Sequence, residues 1–397
     1  MAPRTVDITA LSSLESLTDD QRTLAKEARS LANSFESDYW LEREKTKAYP
    51  MEFFQRFADQ GWLGMMMPED VGGGGLGLVE ASVMLYEIAA SGASMSGCST
   101  LHFSIFPPAP IIRHGSPEMR ATYLPRIATG DLRMCFALTE PTAGTDTSRI
   151  RTRAERRGDR WVVNGQKVWT SNAQNSARML LLARTSPRDD AKPLDGMTLF
   201  FTDLDRDHCI LREIEKLGRY GMDSNELFID NLEIGDEDVV GEVGKGFSYL
   251  LDGLNPERIV TSFEAIGSGR AALALAAAYA NERVVFDKPI GANQAIAHPL
   301  ARAWAHLDAA ELVALRAARL YDSGMPCGRE ANTAKFLAAE AAFQAADAAL
   351  QAHGGYGYAR EYHIERMWRD IRLFKLAPLS QELALNYLSN KVLGLPK

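Results

Sequence analysis

The chain has 397 residues, 46% of them hydrophobic and 24% charged, with 44 Lys plus Arg against 52 Asp plus Glu and a net charge of −8. At about 150 residues per domain that length gives two to three folding units, with a core large enough to need no disulfide or metal staple. The acidic balance argues against broad binding to nucleic acid or anionic membranes, while leaving room for a local basic pocket around a phosphorylated ligand. Cys98, Cys135, Cys209 and Cys327 form no CxxC pair, so neither a thiol redox motif nor a metal site is expected. Met1 to Tyr39 carries Asp7, Glu15, Asp19, Asp20 and Glu27 and lacks the apolar run of about 7–15 residues of a secretory signal. The Ala-rich run 271–280 is bounded by Arg270 and Glu282, far short of the roughly 20 apolar residues of a membrane span. A cytoplasmic protein in a reducing compartment is expected.

From about Leu11 to Leu132 the pattern is helical. Thr18 and Gln21 have the spacing of a capping box ahead of Leu24, Ala25, Ala28 and Leu31. Met51 to Trp62 sets Phe53, Phe54, Phe57 and Trp62 at helical spacing, facing inward. Pro68 to Gly75 then breaks the pattern with four glycines, which mark a flexible turn and only weakly suggest phosphate binding. Val79 to Ala90 returns to helix with Val83, Leu85, Ile88 and Ala89.

Between about Met134 and Ile234 the period changes to two. Trp161 to Trp169 reads as a hairpin turning at Asn164-Gly165, and Met179–Ala183, Gly196–Phe201 and Glu226–Ile229 read as further strands of a small antiparallel barrel or sandwich. From Gly246 onward the chain is alanine-rich helix, with seven alanines in 271–280 and ten in 331–350. Small side chains let helices approach closely, so a four-helix bundle is expected. The reading is an α+β multidomain chain: an N-terminal α-helical domain over 1–132, a middle antiparallel β-barrel or sandwich domain over 133–243, and a C-terminal four-helix bundle over 244–397.

Four clusters could carry chemistry. Cys135 to Asp146 ends a strand in an irregular loop, which is either a polar turn or a set of N–H groups and hydroxyls for a flat heterocycle or phosphate. Lys167 to Asn172 places Trp169, Thr170 and Ser171 at a strand end, where Trp169 is either a core aromatic or a stacking surface. Asn255-Pro256-Glu257-Arg258 opens a long helix, on which Gly253, Glu257, Thr261, Glu264 and Ser268 share one face. A carboxylate among small residues suits a general base, and first-turn placement at the helix dipole is the plainer alternative. Gln351 to Tyr358 ends a helix in glycines that permit close approach to a diphosphate or simply cap the helix; His353 reads as structural.

In order and spacing, CFALTEPTAGTD (135–146), NGQKVWTSN (164–172), GEVGKGF (241–247), ERIV (257–260), ERVVFDKPIGANQAI (282–296) and QAHGGYGY…ERMWRD (351–370) resemble the acyl-CoA dehydrogenase flavoproteins over essentially the whole chain. The resemblance implies a homotetramer or homodimer acting in fatty-acid metabolism on an acyl-CoA substrate, with FAD between the β-domain and the C-terminal bundle and an electron-transfer flavoprotein as acceptor. By family position Phe136, Leu138, Thr139, Thr145, Trp169 and Ser171 would surround the isoalloxazine ring, and Ser380 would also touch the cofactor. Arg283, Phe286, Gln294, Gln351 and Gly355 would reach the adenosine-diphosphate half of a neighbouring subunit's FAD. Thr145 would also contact the CoA pantetheine, and Asn255 with Arg258 its nucleotide end. Thr142 stands where glycine is usual and Thr145 where serine is.

The family reaction removes an α-proton from the thioester while the β-hydride passes to flavin N5, forming a 2,3-enoyl-CoA. Most members hold the base on a Tyr-Glu-Gly-Thr segment beyond an Arg-Asp pair. Here that pair is Arg369-Asp370, and Ala377-Pro378-Leu379-Ser380 falls on the segment, so Pro378 cannot be the base. A minority, the isovaleryl- and long-chain-type members, hold it where Glu257 stands, which makes Glu257 the expected base. Pro378 also lacks the backbone N–H that would donate to the thioester oxygen. Either Ala377 or Leu379 donates instead, or the flavin ribityl hydroxyl acts with another group, or the chemistry differs. Alternatives are a same-fold desulfinase, nitroalkane-type oxidase or flavin monooxygenase, and a non-catalytic acyl-CoA-binding protein. The acyl pocket would use Ser99 to Phe106 and the Glu257 helix, with His102 and Glu264 more plausible in core or surface roles.

Overall fold

The computed structural model describes residues 7–396; the first six residues and Lys397, at the outer ends of the expected first and last domains, lie outside the described residues. Helices come first: α1 (Asp19–Asn33), α2 (Ser37–Thr46), α3 (Met51–Ala58), α4 (Leu78–Ile88), α5 (Ser94–His102), α6 (Ala109–His114) and α7 (Pro117–Ala128). The capping box opens α1 as expected: Gln21 N–H donates to Thr18 Oγ1 at 3.2 Å and Thr18 N–H to Gln21 Oε1 at 3.1 Å. Phe53, Phe54 and Phe57 of α3 are buried, with Phe53 edge-on to Trp40.

The glycine run is a packed turn. The N–H groups of Gly73, Gly74 and Gly75 donate to the carbonyls of Pro68, Gly64 and Met67 at 2.9–3.0 Å, so none is left for a phosphate. A Cβ on Gly73 would stand 2.1 Å from the Met67 carbonyl oxygen, which explains glycine there by close approach.

The strands are β1 (Met134–Ala137), β2 (Arg153–Arg157), β3 (Arg160–Ser171), β4 (Arg178–Arg184), β5 (Met197–Asp203), β6 (Cys209–Glu213) and β7 (Ser224–Ile234). They form one curled sheet in the order β1-β4-β2-β3-β7-β6, with β5 also on β4. The β2–β3, β3–β7, β4–β5 and β6–β7 pairings are antiparallel, whereas β1 and the single β2 contact join β4 in parallel. Alternation sorts the side chains of β4 onto two cores. Leu180 and Leu182 face α6 and α7, while Met179, Leu181 and Ala183 face the barrel interior.

Asn164-Gly165 is not a turn. Strand β3 runs straight through it, and the β2–β3 hairpin turns at Gly158-Asp159, where Gly158 has φ 62°. Asn164 and Gly165 instead sit at an irregularity in the β3–β7 ladder, with Asn231 N–H donating to Asn164 Oδ1 at 2.9 Å. The same residue pair suits a turn and a bulge, and burial of the flanking residues decides between them.

The chain then returns to helix in α8 (Gly246–Glu282), passes a ribbon of β8 (Val284–Val285) and β9 (Lys288–Pro289), and continues through α9 (Gln294–Asp322), α10 (Gly328–His353), α11 (Ile364–Arg372) and α12 (Gln381–Tyr387). Helices α8, α9 and α10 pack on one another and α11 lies across α8 and α10 as the C-terminal bundle. Its alanine faces are in contact: Ala272 and Ala276 of α8, Ala310 and Ala314 of α9 and Ala338, Ala342 and Ala345 of α10 are fully buried. The core is shared with α4 and α5, which cover α8. Helix α8 does not open at Asn255; it starts at Gly246 and continues through Pro256. A proline marks a first helical turn only when nothing upstream already holds the helix, and here Leu250 packs inward a turn and a half earlier.

Candidate active site

Glu257 projects from the first third of α8 and, with Phe106, Pro107, Pro110, Phe136, Leu250, Gly253 and Leu254, lines a narrow cavity. Among the described residues its carboxyl group has no hydrogen-bond or ion-pair partner. Burial pushes its pKa up to about 7, with Arg258 opposing and Glu264 adding to the rise. Arg258 is turned toward Asn255, donating from Nη1 to Asn255 Oδ1 at 2.9 Å. The two side chains expected at the nucleotide end of CoA are therefore held together across one turn of helix, on either side of Glu257 in sequence.

The 135–146 and 164–172 segments are drawn together by a buried ion pair that the sequence reading did not single out. Lys167 Nζ donates to Glu140 Oε1 at 2.9 Å and to the Leu138 carbonyl at 3.0 Å, and Glu140 also accepts from the N–H groups of Arg151 and Thr152. Burial alone would raise the Glu140 pKa, but Lys167 and these donors outweigh it and hold the group below the usual carboxylate range. Burial pushes Lys167 down to about 8 against the pull of Glu140. Val168 N–H donates to the Thr139 carbonyl at 2.9 Å. Phe136, Leu138 and Thr139 thus stand beside the end of β3, all half-buried, with Thr145 exposed on the loop beyond.

Trp169 is not a barrel-core residue. It is 57% exposed and has φ 61°, a left-handed conformation unusual for a bulky side chain. It lies within the second irregularity of the β3–β7 ladder, between Lys167 and Thr170, which turns the indole out of the barrel. Two residues on, Ser171 Oγ accepts from Arg219 Nη2 at 2.9 Å.

A second group of expected residues gathers at the C-terminal end of α8, at the other end of that helix from Glu257. Arg283, Phe286, Gln294, Gln351 and Gly355 are exposed where α8 ends, α9 begins and α10 ends. Phe286, at the tip of the β8–β9 ribbon, is 93% exposed, and the Arg283 guanidinium lies 5.8 Å from the Tyr356 ring centroid. Gln351 lines an α9–α10 groove of about 520 Å³ with Arg302, His306, Gln344 and Asp347 among its walls. The 25 residues of α8 from Glu257 to Glu282 span about 37 Å at ~1.5 Å each. The length of α8 thus sets this second group well away from Glu257. His353 is buried, stacked on Tyr279, with Nδ1 2.7 Å from the Ala349 carbonyl.

In the segment after Arg369-Asp370, Ser380 is the N-cap of α12, accepting from Leu383 N–H at 3.4 Å. Ala377 N–H is engaged by the Leu373 carbonyl at 2.9 Å, Pro378 has no N–H, and among the described residues Leu379 N–H makes no hydrogen bond. His102 and Glu264 form a buried pair, Nδ1 to Oε1 2.9 Å, one layer behind Phe106. No group of three or more His, Cys, Asp or Glu is placed to hold a metal ion among the described residues.

Sequence profiles of the acyl-CoA dehydrogenase N-terminal, middle and C-terminal domains match residues 18–131, 135–232 and 244–392. The chain belongs to the acyl-CoA dehydrogenase family. It is an oxidoreductase acting on the CH–CH bond of acyl-CoA thioesters, with FAD as its cofactor. It is 34% identical over 385 residues to the acyl-CoA dehydrogenase fadE12 of Mycobacterium bovis, covering 96% of this chain and 97% of that one. A glutaryl-coenzyme A dehydrogenase in complex with glutaryl-CoA superposes with a TM-score of 0.90 at 29% identity, covering 96% and 97% of the two chains. The butyryl-CoA dehydrogenase of Megasphaera elsdenii gives 0.89 at 28% identity, covering 95% and 99%.

Proposed function

We propose that the protein converts an acyl-CoA to its 2,3-enoyl-CoA with Glu257 as the base that removes the α-proton. The observation that carries this reading is the Glu257 carboxyl group, without a partner among the described residues, on the wall of a cavity it shares with Phe136. A pKa near 7 suits a group that must take a proton from a weak carbon acid and release it again. FAD, when bound, supplies the acceptor for the β-hydride. The residues at the end of β3 fit its ring: an exposed indole at Trp169, a hydroxyl at Ser171, and the half-buried Phe136, Leu138 and Thr139, with Thr145 on the neighbouring loop. Ser380 adds a contact from the start of α12.

Asn255 and Arg258 bind the nucleotide end of CoA, and Thr145 its pantetheine. The thioester oxygen gains charge as the α-proton leaves and needs a donor. In the 377–380 segment the N–H groups of Leu379 and Ser380 make no hydrogen bond among the described residues, and we assign that role to Leu379. The length of α8 between Glu257 and the second group supports two subunits around each FAD, with Arg283, Phe286, Gln294, Gln351 and Gly355 coming from a neighbour in a homotetramer or homodimer. We place the domain boundaries at 132/133 and 243/244, the enzyme in the cytoplasm in fatty-acid metabolism, and its electrons with an electron-transfer flavoprotein. No helix among the described residues is long and apolar enough to cross a membrane.

Turnover of a panel of short, medium, long, branched and aromatic acyl-CoA thioesters with an artificial electron acceptor tests the proposal. At least one class should give an enoyl-CoA product. No turnover on any class, with fast reoxidation of reduced flavin by O₂, would instead point to a same-fold flavoenzyme of other chemistry.

A further inference from the structure

Arg219 stands in the loop between β6 and β7, at φ 54°. Its side chain is enclosed by three elements. Nη1 donates to Ser99 Oγ of α5 at 3.2 Å, and Nη2 to Ser171 Oγ of β3 at 2.9 Å and to Ser224 Oγ of β7 at 3.4 Å. The backbone N–H donates to Asp370 Oδ1 at 2.6 Å, and Asp370 Oδ2 accepts from Ser96 Oγ at 2.9 Å, which pins the loop to α5 and α11. Among the described residues no carboxylate reaches the guanidinium to form an ion pair. Burial lowers its pKa, and Asp370, Asp223 and Glu264 counter this from a distance. A guanidinium keeps its proton in proteins, so this is a buried cation whose direct partners are three neutral hydroxyls. Burying a charge without an ion partner is costly, and such a group persists where something else in the site uses it.

We infer that Arg219 is a positioning residue for the FAD site, acting through Ser171. This rests on the placement of the flavin ring beside Trp169 and Ser171 proposed above. A hydroxyl oxygen that accepts from a guanidinium has its own hydrogen left to donate, and that hydrogen is directed away from Arg219. The Ser171 O–H therefore serves the ring as a donor of fixed direction. The positive charge, one hydroxyl removed, favours the more electron-rich state of a ring bound there. Arg219 itself exchanges neither proton nor electron: the α-proton goes to Glu257.

The test compares wild type with Arg219→Met, Arg219→Lys, Ser171→Ala and the Arg219→Met/Ser171→Ala double variant. The readouts are the dissociation constant of apoprotein for FAD and the midpoint potential of the bound flavin. Arg219→Met and Ser171→Ala should each weaken FAD binding about tenfold, the loss expected for a charge-assisted hydrogen bond. Their effects should be non-additive in the double variant, because each removes the same contact. Arg219→Met should move the potential to a more negative value, and Arg219→Lys, which keeps the charge, should move it less. If Ser171→Ala changes FAD binding and potential while Arg219→Met and Arg219→Lys leave both at wild type, the inference is overturned. If Ser171→Ala also changes neither, the ring is not beside Ser171, and the proposed placement fails rather than the role of Arg219. Should Arg219→Met not fold, Arg219→Gln, which removes the charge, decides in its place: FAD affinity and potential both equal to wild type contradict the inference.

Discussion

Lys167 Nζ and Glu140 Oε1 lie 2.9 Å apart, 0% and 4% exposed, and this pair joins the loop after β1 to the end of β3. Each member is also tied to backbone, so the pair fixes two loops as well as two charges. Removing one partner leaves the other charged and buried, at a cost of about 3–5 kcal/mol. Lys167→Met should therefore lower thermal stability sharply and reduce FAD retention after gel filtration. Unchanged melting and full retention would show that the pair does not hold the site together.

Trp169 combines high exposure with φ 61°, a strain of about 1–3 kcal/mol for a non-glycine residue. Trp169→Gly relieves that strain and removes little buried area. The apoprotein should be as stable as wild type or about 1 kcal/mol more stable in denaturant unfolding, while FAD affinity falls at least tenfold. A large loss of apoprotein stability would mean that the indole packs in the fold after all.

How far these features were legible from sequence depended on their range. The Thr18–Gln21 cap, the inward phenylalanines of α3 and the alanine faces of α8 and α10 are local patterns, and the structure holds each as read. Asn164-Gly165 misled because a local dipeptide preference was competing with burial of Val163 and Lys167 on either side. A signal for Lys167 was present: alternation from Trp161 and Val163 puts it on an inward position, where an unpaired lysine is untenable. Its partner Glu140, 27 residues away, could not be named without the register of β3 against the loop. Arg219 carried no comparable signal, because its three serine partners come from α5, β3 and β7. The exposure of Trp169 depended on a ladder irregularity that no residue pattern announces.

Phe286 projects from the β8–β9 ribbon with 93% of its surface open, beside exposed Val284 and Val285. An exposed apolar tip of this kind fits a subunit contact. Phe286→Ser should shift the native mass toward smaller assemblies and weaken FAD binding about tenfold, as the proposed contact with a neighbouring subunit's FAD requires. A mass and affinity equal to wild type would remove this ribbon from the interface.

The Glu257 pKa sets a pH dependence of stability. Its ordinary value is 4.5 and the folded value about 7, so between these limits the native state holds a proton that the unfolded chain has lost. Stability then falls as pH rises from about 4.5 to about 7, and the loss is complete above that. Glu257→Gln carries no such penalty. Its melting temperature should match wild type near pH 4.5, exceed it increasingly toward pH 7, and keep a constant margin beyond. A margin that does not vary with pH would place the carboxyl group in solvent-like surroundings.

The catalytic role of Glu257 is tested most directly by stopped-flow absorbance of the FAD-loaded enzyme mixed with an acyl-CoA that wild type turns over. With Glu257→Gln the thioester should still bind and perturb the flavin spectrum, but bleaching should slow by about 10³-fold, within the range expected for loss of a general base. Bleaching at the wild-type rate in that variant would contradict the account and put the base on another residue.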